Sequence, residues 1–381
     1  MTKVAMIVTN ACCPDPRVER HAKWLSQLNC QVTIHAFDRI QAHSLSESVE
    51  SVRIMRYHIG NYPYGATIST HFGIKKFQRM VSSSLLRDPP DLVYCHDADT
   101  ISIGQKLSKK CSIPFVFDMH DLHHTWITMN HPRSRTRKII SNIQKNRMLK
   151  HANKAKFVIT SSGQYPQGSH PGLQQWLETH GIQSEVIENR PVSIDSHPMK
   201  LDNSQLTIGY FGRIRETTPF KFLLDAIKSM PAEQRPNLRL AGDGVSQEAV
   251  YAMVETAQSN GECEATLSGS FKTKDMKTLM GEIDVMFAMY SPTRENIRLG
   301  ALPTKMFDAA MYGKPSIVNA ECLMADVVQQ ESLGIAVEFG NVPELVQAFH
   351  DAQMIHPNLV RDGSHEREKF IDIMTEIINV S

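Results

Sequence analysis

The chain alternates short apolar runs with segments whose apolar residues recur every three or four positions. Short runs of Val, Ile, Leu and Phe are typical of buried strands, whereas the longer spacing is typical of one helix face. Val18, Ala22 and Leu25 show the helical spacing early in the chain, and the segment 220–227 repeats it in the second half. The predicted strands are Val4–Thr9, Gln31–Phe37, Arg53–Tyr57, Leu92–His96, Phe115–His120, Phe157–Ser161, Glu185–Glu188, Leu206–Gly212, Leu238–Ala241, Ala265–Leu267, Val285–Met289, Ser316–Val318 and Ile335–Phe339.

Strands that alternate with helices across short loops predict parallel sheets covered by helices on both faces. A length of 381 residues favours two such domains. We therefore predict an α/β protein of two Rossmann-like domains facing a central cleft. The first domain spans residues 1–190, a polar and proline-punctuated linker spans 191–204, and the second domain spans 205–360. Residues 361–381 form a last helical segment, for which packing back on the first domain is one interpretation.

Composition excludes several classes of protein. The 41 basic and 40 acidic side chains nearly cancel, which gives no overall argument for nucleic-acid binding. The seven cysteines form no CxxC pair, so zinc-ribbon and thioredoxin motifs are excluded and a reducing cytoplasm is expected. The apolar stretch at the N-terminus is too short for a signal peptide, and no run is long enough to span a membrane.

Glycines and charged residues gather where the predicted strands of the second half end. Open parallel sheets bind ligands beyond the carboxyl ends of their strands. Lys305 and Asp308 are three residues apart at the start of a predicted helix, where backbone N–H groups and the helix dipole suit a phosphate. A carboxylate one turn further in is placed to accept hydrogen bonds from a ribose. This pattern indicates a nucleotide-sugar pocket.

A second group of polar residues follows the strands of the first half: Asp15, Arg17, His96, Asp97 and His120. Asp15 and Arg17 either pair locally or contact substrate. Carboxylates and imidazoles in such numbers are also metal ligands. However, Asp99 is interpreted as the cap of a helix that starts at Thr100, and we predict no metal at this site.

The order and spacing of these motifs resemble the family-4 retaining glycosyltransferases of the GT-B fold, over roughly residues 3–350. The resemblance is carried by Tyr210-Phe-Gly-Arg213, Leu240-Ala-Gly-Asp-Gly244, Leu267-Ser-Gly269, Leu302-Pro-Thr-Lys-Met-Phe-Asp308 and Gly313-Lys-Pro315, and in the first half by Asp15-Pro-Arg-Val18, His96-Asp97 and Asp118-Met-His-Asp121.

The resemblance implies a nucleotide-diphosphate sugar as donor, linked to UDP or GDP, and a transfer with retention that needs no metal cofactor. In the second domain it implies Asp308 on the ribose and Arg213 and Lys305 on the diphosphate. The other donor-site residues that it implies are Gly212, Gly242, Gly269, Phe271, Leu302 and Thr304. In the first domain it implies His120 as the catalytic residue, with Asp15, Arg17, His96 and Asp97 toward a saccharide or lipid-linked acceptor.

Three positions depart from the family pattern. Gly300 stands where the family often has a glutamate that contacts the donor sugar, and Asp308 stands for the commoner glutamate. Thr218-Pro219 replaces a Lys-Gly pair, which removes a phosphate-binding cation. Arg215, Lys221 and Lys305 are the cations available to replace it.

The segment from Arg133 to Lys150 is basic without one acidic residue, and Ile139, Ile140 and Ile143 give it an apolar side. Basic amphipathic helices suit anionic membrane surfaces. Two interpretations stay open: a peripheral membrane contact at the inner face, or a solvated helix whose apolar side lies in the domain core. Aromatic residues do not interleave the charges, so RNA is disfavoured.

The leading hypothesis is a cytoplasmic glycosyltransferase, of the kind used in polysaccharide biosynthesis. A nucleotide-sugar epimerase of the same fold and a non-catalytic sugar-nucleotide-binding partner subunit are the alternatives. An NAD oxidoreductase is disfavoured because no GxGxxG motif follows a predicted strand.

Overall fold

A computed structural model describes residues 1–62, 67–129, 131–192 and 205–379. It divides into two compact units, each assembled from separate parts of the chain. The first unit comprises Met1–Gly163, Leu173–Asn189 and the chain from His365 onward, and the second comprises Gln164–Gly172 and Arg190–Ser364. Most of the predicted linker, residues 193–204, lies outside the described residues.

The strands are β1 (Thr2–Val8), β2 (Cys30–Ala36), β3 (Ser46–Val49), β4 (Val52–Arg56), β5 (Leu92–His96), β6 (Phe115–Met119), β7 (Phe157–Thr160), β8 (Glu185–Val186), β9 (Thr207–Phe211), β10 (Asn237–Ala241), β11 (Ala265–Ser268), β12 (Val285–Phe287), β13 (Ser316–Asn319) and β14 (Gly334–Val337).

The helices are α1 (Pro16–Gln27), α2 (Thr67–Arg87), α3 (Ile101–Cys111), α4 (Trp126–Met129), α5 (Arg135–Ala152), α6 (Leu173–Glu178), α7 (Thr218–Ser229), α8 (Gln247–Ser259), α9 (Met276–Gly281), α10 (Glu295–Arg298), α11 (Lys305–Met311), α12 (Leu323–Gln330), α13 (Val342–Asp351) and α14 (Gly363–Asn379). Among the residues described, none of these helices combines the length and the hydropathy needed to cross a bilayer.

Each unit is built on one sheet. The first sheet has eight strands in the order β3-β4-β2-β1-β5-β6-β7-β8, and the second has six in the order β11-β10-β9-β12-β13-β14. All pairings are parallel except that of β3 with β4. The predicted α/β class with two Rossmann-like units is confirmed.

Strand β3 and several strand ends, among them those of β8, β12 and β14, differ from the sequence prediction. The edge strand β3 was not predicted, because its four residues are polar and exposed and carry no apolar signal. Strand β8 ends at Val186 rather than Glu188. The backbone N–H of Glu188 donates to the Glu366 carboxylate at 2.7 Å, so this residue leaves the strand ladder.

The core of the first unit lies around β1, whose Val4, Met6 and Val8 point to one face of the sheet. Helix α14 inserts Phe370 and Met374 into the same core, although it lies nearly two hundred residues beyond β8 in the chain. The last helix is thus an integral part of the first unit.

In the second unit, alternate residues of each strand serve two separate cores. Tyr210 and Leu240 belong to one core, whereas their neighbours Phe211 and Ala241 belong to the other. This alternation is the signature of a sheet buried on both faces. It fixes the direction in which the last residue of each strand points, and therefore shapes the loops at the carboxyl edge.

The short segment 164–172 belongs to the second unit because its side chains bond there. Tyr165 donates from its hydroxyl to Glu331, and fully buried Arg190 holds the same carboxylate at 2.6 and 2.7 Å. The Arg190 guanidinium also lies 4.3 Å from the centroid of the Phe307 ring on α11. This buried group braces α11, the helix that begins at Lys305.

Two loops at the carboxyl edge of the second sheet touch backbone to backbone. A Cβ at Gly242 would lie 1.9 Å from the carbonyl oxygen of Gly212, and a Cβ at Gly244 would lie 2.3 Å from that of Ile214. No side chain fits in that space. The glycines after β10 therefore allow the loop after β9 to adopt its conformation.

Gly242→Ala is expected to destabilise the second unit by about 2 kcal/mol or more, since backbone rather than a flexible side chain must move. Gly269→Ala is the matched control, because a Cβ there meets no described atom within 4 Å. Thermal unfolding of both variants measures the difference, and equal midpoints would contradict the close approach of the two loops.

Candidate functional site

The second sheet reverses its strand order between β9 and β12. From β9 the chain moves outward to β10 and β11, then returns to place β12 on the other side of β9. Such a reversal is where open α/β sheets bind their ligands. The loops that start at Gly212 and Tyr290 follow these two strands, so their side chains surround the switch point.

Lys305 is the central cation of this region. Its Nζ lies 3.8 Å from the centroid of the Tyr210 ring and 5.5 Å from that of Tyr290. Burial, together with repulsion by Arg294 and Arg215, lowers the pKa of Lys305 to about 7. No carboxylate of the described residues lies within ion-pair distance of Nζ. Keeping Lys305 protonated therefore costs free energy, and a nearby anion would remove that cost.

Arg294 is fixed beside Lys305 by a small network. Its Nη1 lies 3.0 Å from Glu216 Oε1, and the backbone N–H of Ser291 donates to the other oxygen of Glu216 at 3.2 Å. The guanidinium also lies 4.9 Å from the centroid of the Tyr290 ring. Glu216 thus orients Arg294. Arg294 and Arg215 each affect the pKa of Lys305 more strongly than Glu216 or Asp308 does.

The other predicted donor residues surround this cluster. Gly212 faces Lys305, since a Cβ on it would lie 3.1 Å from Lys305 Cε. Thr304 precedes α11 and accepts the backbone N–H of Asp308 at 2.8 Å, which places half-buried Asp308 one turn into the helix. Phe271 and Leu302 pack against one core, where Phe271 meets the Phe211 ring edge-on. Gly269 is exposed on the loop after β11.

Two observations bear on the expected diphosphate contacts. Arg213 Nη1 pairs with Asp243 at 2.7 Å, and both side chains are about half exposed, so its contact with phosphate stays a prediction. Helix α11 has only seven residues, so its dipole is short. The attraction for an anion comes mainly from the Lys305 and arginine side chains instead.

Two departures from the family pattern have structural reasons. Gly300 has φ of +104°, and a Cβ there would lie 2.5 Å from the carbonyl oxygen of Pro171, so a glutamate does not fit at this position. Thr218 and Pro219 open helix α7, with the proline in the first turn, where its missing N–H costs nothing.

In the first unit, the Asp118 carboxylate is the centre of a buried cluster at the end of β6. Arg17 reaches it with two bonds, Nη2 to Oδ1 at 2.6 Å and Nε to Oδ2 at 3.1 Å, and both side chains are almost fully buried. Burial would raise the pKa of Asp118, but Arg17 and His120 hold it well below its usual range. The charge of this carboxylate is fully compensated.

His120 lies between two carboxylates. Its Nε2 is 3.1 Å from Asp118 Oδ2, and its Nδ1 is 3.4 Å from Asp97 Oδ2. Burial alone would lower the pKa of His120, but Asp97 and Asp118 raise it to about 9. The imidazole is therefore cationic at neutral pH. The Asp97 backbone adopts φ of +61° and its carboxylate also accepts the backbone N–H of His120 at 3.3 Å.

Arg17 and His96 do not line an open face, contrary to expectation, because both are buried against Asp118. His96 Nδ1 lies 3.1 Å from His120 Nε2, and burial lowers the pKa of His96. His21, which sequence reasoning missed, also contacts Asp118, and burial together with Arg17 lowers its pKa to about 3. Arg17, His96 and His21 hold the Asp118 carboxylate in place, and Asp118 in turn orients the His120 ring.

Asp15 and Asp99 have local partners. The Asp15 side chain accepts the backbone N–H of Val18 and so caps α1, which excludes the local pairing with Arg17. Asp99 does not cap α3, whose first turn has no side-chain cap. Asp99 instead pairs with His123 at 3.4 Å.

His96, Asp118 and His120 are the group of described residues whose donor atoms converge, all within 4.8 Å of one another. A cation would have to displace Arg17 from Asp118 and a proton from His120.

Sequence reasoning also missed Tyr290, Arg294 and Glu216. All three surround the carboxyl end of β12 or the loop after β9. The end of the predicted strand Val285–Met289 was the available signal, since it marks the next residues as part of the same edge.

Comparisons with known proteins agree with this geometry. Residues 205–352 match the profile of the family described as glycosyl transferases group 1. No curated protein sequence matches the chain.

Solved structures match along the whole chain. Sucrose-phosphate synthase from Thermosynechococcus elongatus is 14% identical with a TM-score of 0.75, covering 100% of this chain and 98% of its own. HepE of Anabaena in complex with UDP-glucose is 16% identical with a TM-score of 0.67, covering 99% and 100%. TarM of S. aureus in a complex containing UDP is 11% identical with a TM-score of 0.62, covering 98% and 97%.

The chain therefore has the fold of GT-B glycosyltransferases, and its residues 205–352 are similar to the glycosyl transferases group 1 family. The expected resemblance to GT-B glycosyltransferases is confirmed. Fold and family match together support a glycosyltransferase.

Asp97→Asn is expected to lower the pKa of His120 from about 9 toward or below its ordinary value, because burial then acts against one carboxylate instead of two. A raised folded-state pKa stabilises the protein below about pH 6.5, and that contribution is lost as the pH rises through about 9. The variant should therefore lose stability mainly at and below neutral pH.

NMR titration of the imidazole C–H signals measures this shift, with His120→Gln to assign the signal. Asp99→Asn is the control, since Asp99 pairs with His123 rather than His120. An unchanged His120 titration in Asp97→Asn would refute the proposed charge pair.

Proposed function

We propose that this protein transfers a glycosyl unit from a nucleotide-diphosphate sugar to an acceptor, with retention and without a metal. The observation that carries the proposal is Lys305, a cation held over two tyrosine rings and repelled by two arginines. A diphosphate supplies the negative charge that this cluster lacks. The similar structures of HepE with UDP-glucose and of TarM with UDP support UDP as the carrier.

The donor end of the reaction rests on charge. As the bond between the sugar and the diphosphate breaks, negative charge grows on the leaving phosphate oxygen. Lys305, Arg294 and Arg215 stabilise this charge from fixed positions, which is the usual means of electrostatic catalysis. We assign Asp308, one turn beyond Lys305, as the hydrogen-bond acceptor for the ribose hydroxyls.

His120 has the properties of a fixed cation rather than a base. With a pKa of about 9 it carries both protons at neutral pH, and each N–H faces a carboxylate, so it can place positive charge beside the reacting sugar but not remove a proton from the acceptor. Asp97 and Asp118 keep it in this state. Retention then fits a transfer in which the leaving diphosphate itself receives the acceptor's proton.

The setting proposed for this activity is the cytoplasm. All seven cysteines are free, in agreement with a reducing compartment. A non-catalytic sugar-nucleotide binder is the second candidate, and the observation that favours it is Gly300, where backbone contacts exclude the carboxylate found in many relatives.

Lys305→Met is expected to weaken UDP binding about tenfold or more, since a charge-assisted contact to phosphate is lost. Lys228→Met is the matched control. Exposed Lys228 lies in the last turn of α7 and pairs with Glu262. Calorimetric titration of both variants with UDP and GDP measures the difference and identifies the base. Equal affinity in both variants would contradict the role of Lys305.

Turnover separates the candidate functions. A transferase releases UDP or GDP from the sugar only when an acceptor is present, an epimerase converts the sugar without one, and a binding subunit does neither. His120→Ala should abolish most of the turnover while leaving nucleotide affinity unchanged, because His120 belongs to the first unit and the nucleotide cluster to the second.

A further inference from the structure

A groove of about 280 Å³ in the first unit lies between helices α2, α3 and α5. Apolar side chains of Ile74, Ile101 and Met148 line part of it, and the cations Lys75 and Arg147 line another part. A neighbouring cavity of about 490 Å³ shares Arg147 and His151 and adds Lys150 and Lys154. We call the first of these the α2–α5 groove.

The groove has an excess of positive charge: Lys75 and Arg147 line it beside one carboxylate, Asp99, which offsets them in part. No carboxylate in the described part of the chain lies within ion-pair distance of Lys75, Arg147, Lys150 or Lys154. Burial and repulsion by Arg147 lower the pKa of Lys75. Burial and repulsion by Arg147, Lys150 and Lys75 likewise lower the pKa of His151. These side chains repel one another, so an anion bound among them would stabilise the site.

The same groove has an exposed apolar side. Ile140 and Ile143 line it and are 49% and 62% exposed, and Ile139 beside them is 60% exposed. The sequence left open whether the apolar side of α5 enters the domain core, and the structure leaves these isoleucines in solvent. Large apolar side chains next to unpaired cations match a ligand that is itself anionic at one point and apolar along a chain.

A buried polar group lines the groove. His124 is only 7% exposed, and its Nδ1 has no hydrogen-bond partner. Burial lowers the pKa of His124 to about 4, so the ring is neutral and has a hydrogen-bonding atom to offer. Ala98 and Asp99 also line the groove and directly follow Asp97, the partner of His120.

We infer that the α2–α5 groove binds the acceptor, and that this acceptor carries a phosphate joined to a hydrocarbon chain. The phosphate lies among Lys75, Arg147 and His151, and the chain follows Ile140 and Ile143. The part of the acceptor that reacts extends past His124 toward Asp97 and His120. This inference rests on the proposed function, since it names the acceptor class for that transfer.

Binding of n-decyl phosphate to the full chain, below its micelle concentration, tests the groove. The double variant Lys75→Gln and Arg147→Gln should weaken this binding about tenfold or more, because two phosphate contacts are lost. The double variant Lys109→Gln and Lys110→Gln removes the same charge from the exposed last turn of α3 and should bind like the wild type. Ile143→Ser should weaken decyl phosphate binding but not the binding of inorganic phosphate.

Four results would overturn the inference. Equal binding of decyl maltoside would reduce the groove to an apolar surface, and equally tight inorganic phosphate would reduce it to a simple anion site. An equal loss in the Lys109 and Lys110 variant would assign the effect to net charge. Binding only to phosphatidylglycerol vesicles, insensitive to the Lys75 and Arg147 changes, would assign α5 to a membrane contact instead.

UDP titration of the same variants keeps the two proposals apart. The groove variants should bind UDP like the wild type, since the nucleotide cluster lies in the second unit. Binding of UDP without any binding of decyl phosphate would refute the acceptor inference and leave the transferase standing. Binding of decyl phosphate without UDP would refute the transferase and leave the groove as an anionic-amphiphile site.

Discussion

Lys305 lies where two tyrosine rings remove water from its ammonium group and two arginines repel it. Such a cation is costly unless an anion accompanies it. The surrounding elements maintain this arrangement: Arg190 braces α11 from behind, Glu216 fixes Arg294, and the glycines after β10 let the Gly212 loop approach. These elements of the second unit thus hold a positive charge that a bound anion would stabilise. The proposed diphosphate follows from this positive charge rather than from the fold alone.

In the first unit the central buried charge is negative, and the protein itself balances it. Asp118 is a buried carboxylate, and Arg17 and the histidines around it satisfy its charge within the protein. Asp97 and Asp118 also keep His120 protonated, because they raise its pKa. In the transfer proposed above, the cationic imidazole and the cationic cluster around Lys305 have separate roles. The α2–α5 groove extends the same logic to the acceptor, because its cations Lys75 and Arg147 bond to Gln78 and His151 rather than to a carboxylate.

Sequence patterns were sufficient to locate the residues that lie at the ends of strands. Gly212, Gly242 and Lys305 follow predicted strands or open a predicted helix, so the carboxyl edge of the second sheet could be located without coordinates. Pairings between distant residues could not be predicted in this way. Arg17 and Asp118 are 101 residues apart, and no local pattern shows that the arginine turns inward to the carboxylate instead of outward to a ligand. The partner of Arg213 was missed for the same reason, since Asp243 lies 30 residues away on the neighbouring strand end.

Proton uptake on nucleotide binding tests the central claim most directly. With a pKa of about 7, Lys305 is mostly neutral at about pH 8, whereas the phosphates of UDP, with a last pKa of about 6, are already ionised. Binding should raise the pKa of Lys305 and take up close to one proton, because the charged amine gains a phosphate partner. Calorimetry in two buffers of different ionisation enthalpy measures that proton. The account predicts buffer-dependent heats for the wild type and buffer-independent heats for Lys305→Met, and equal heats in both buffers for the wild type would contradict it.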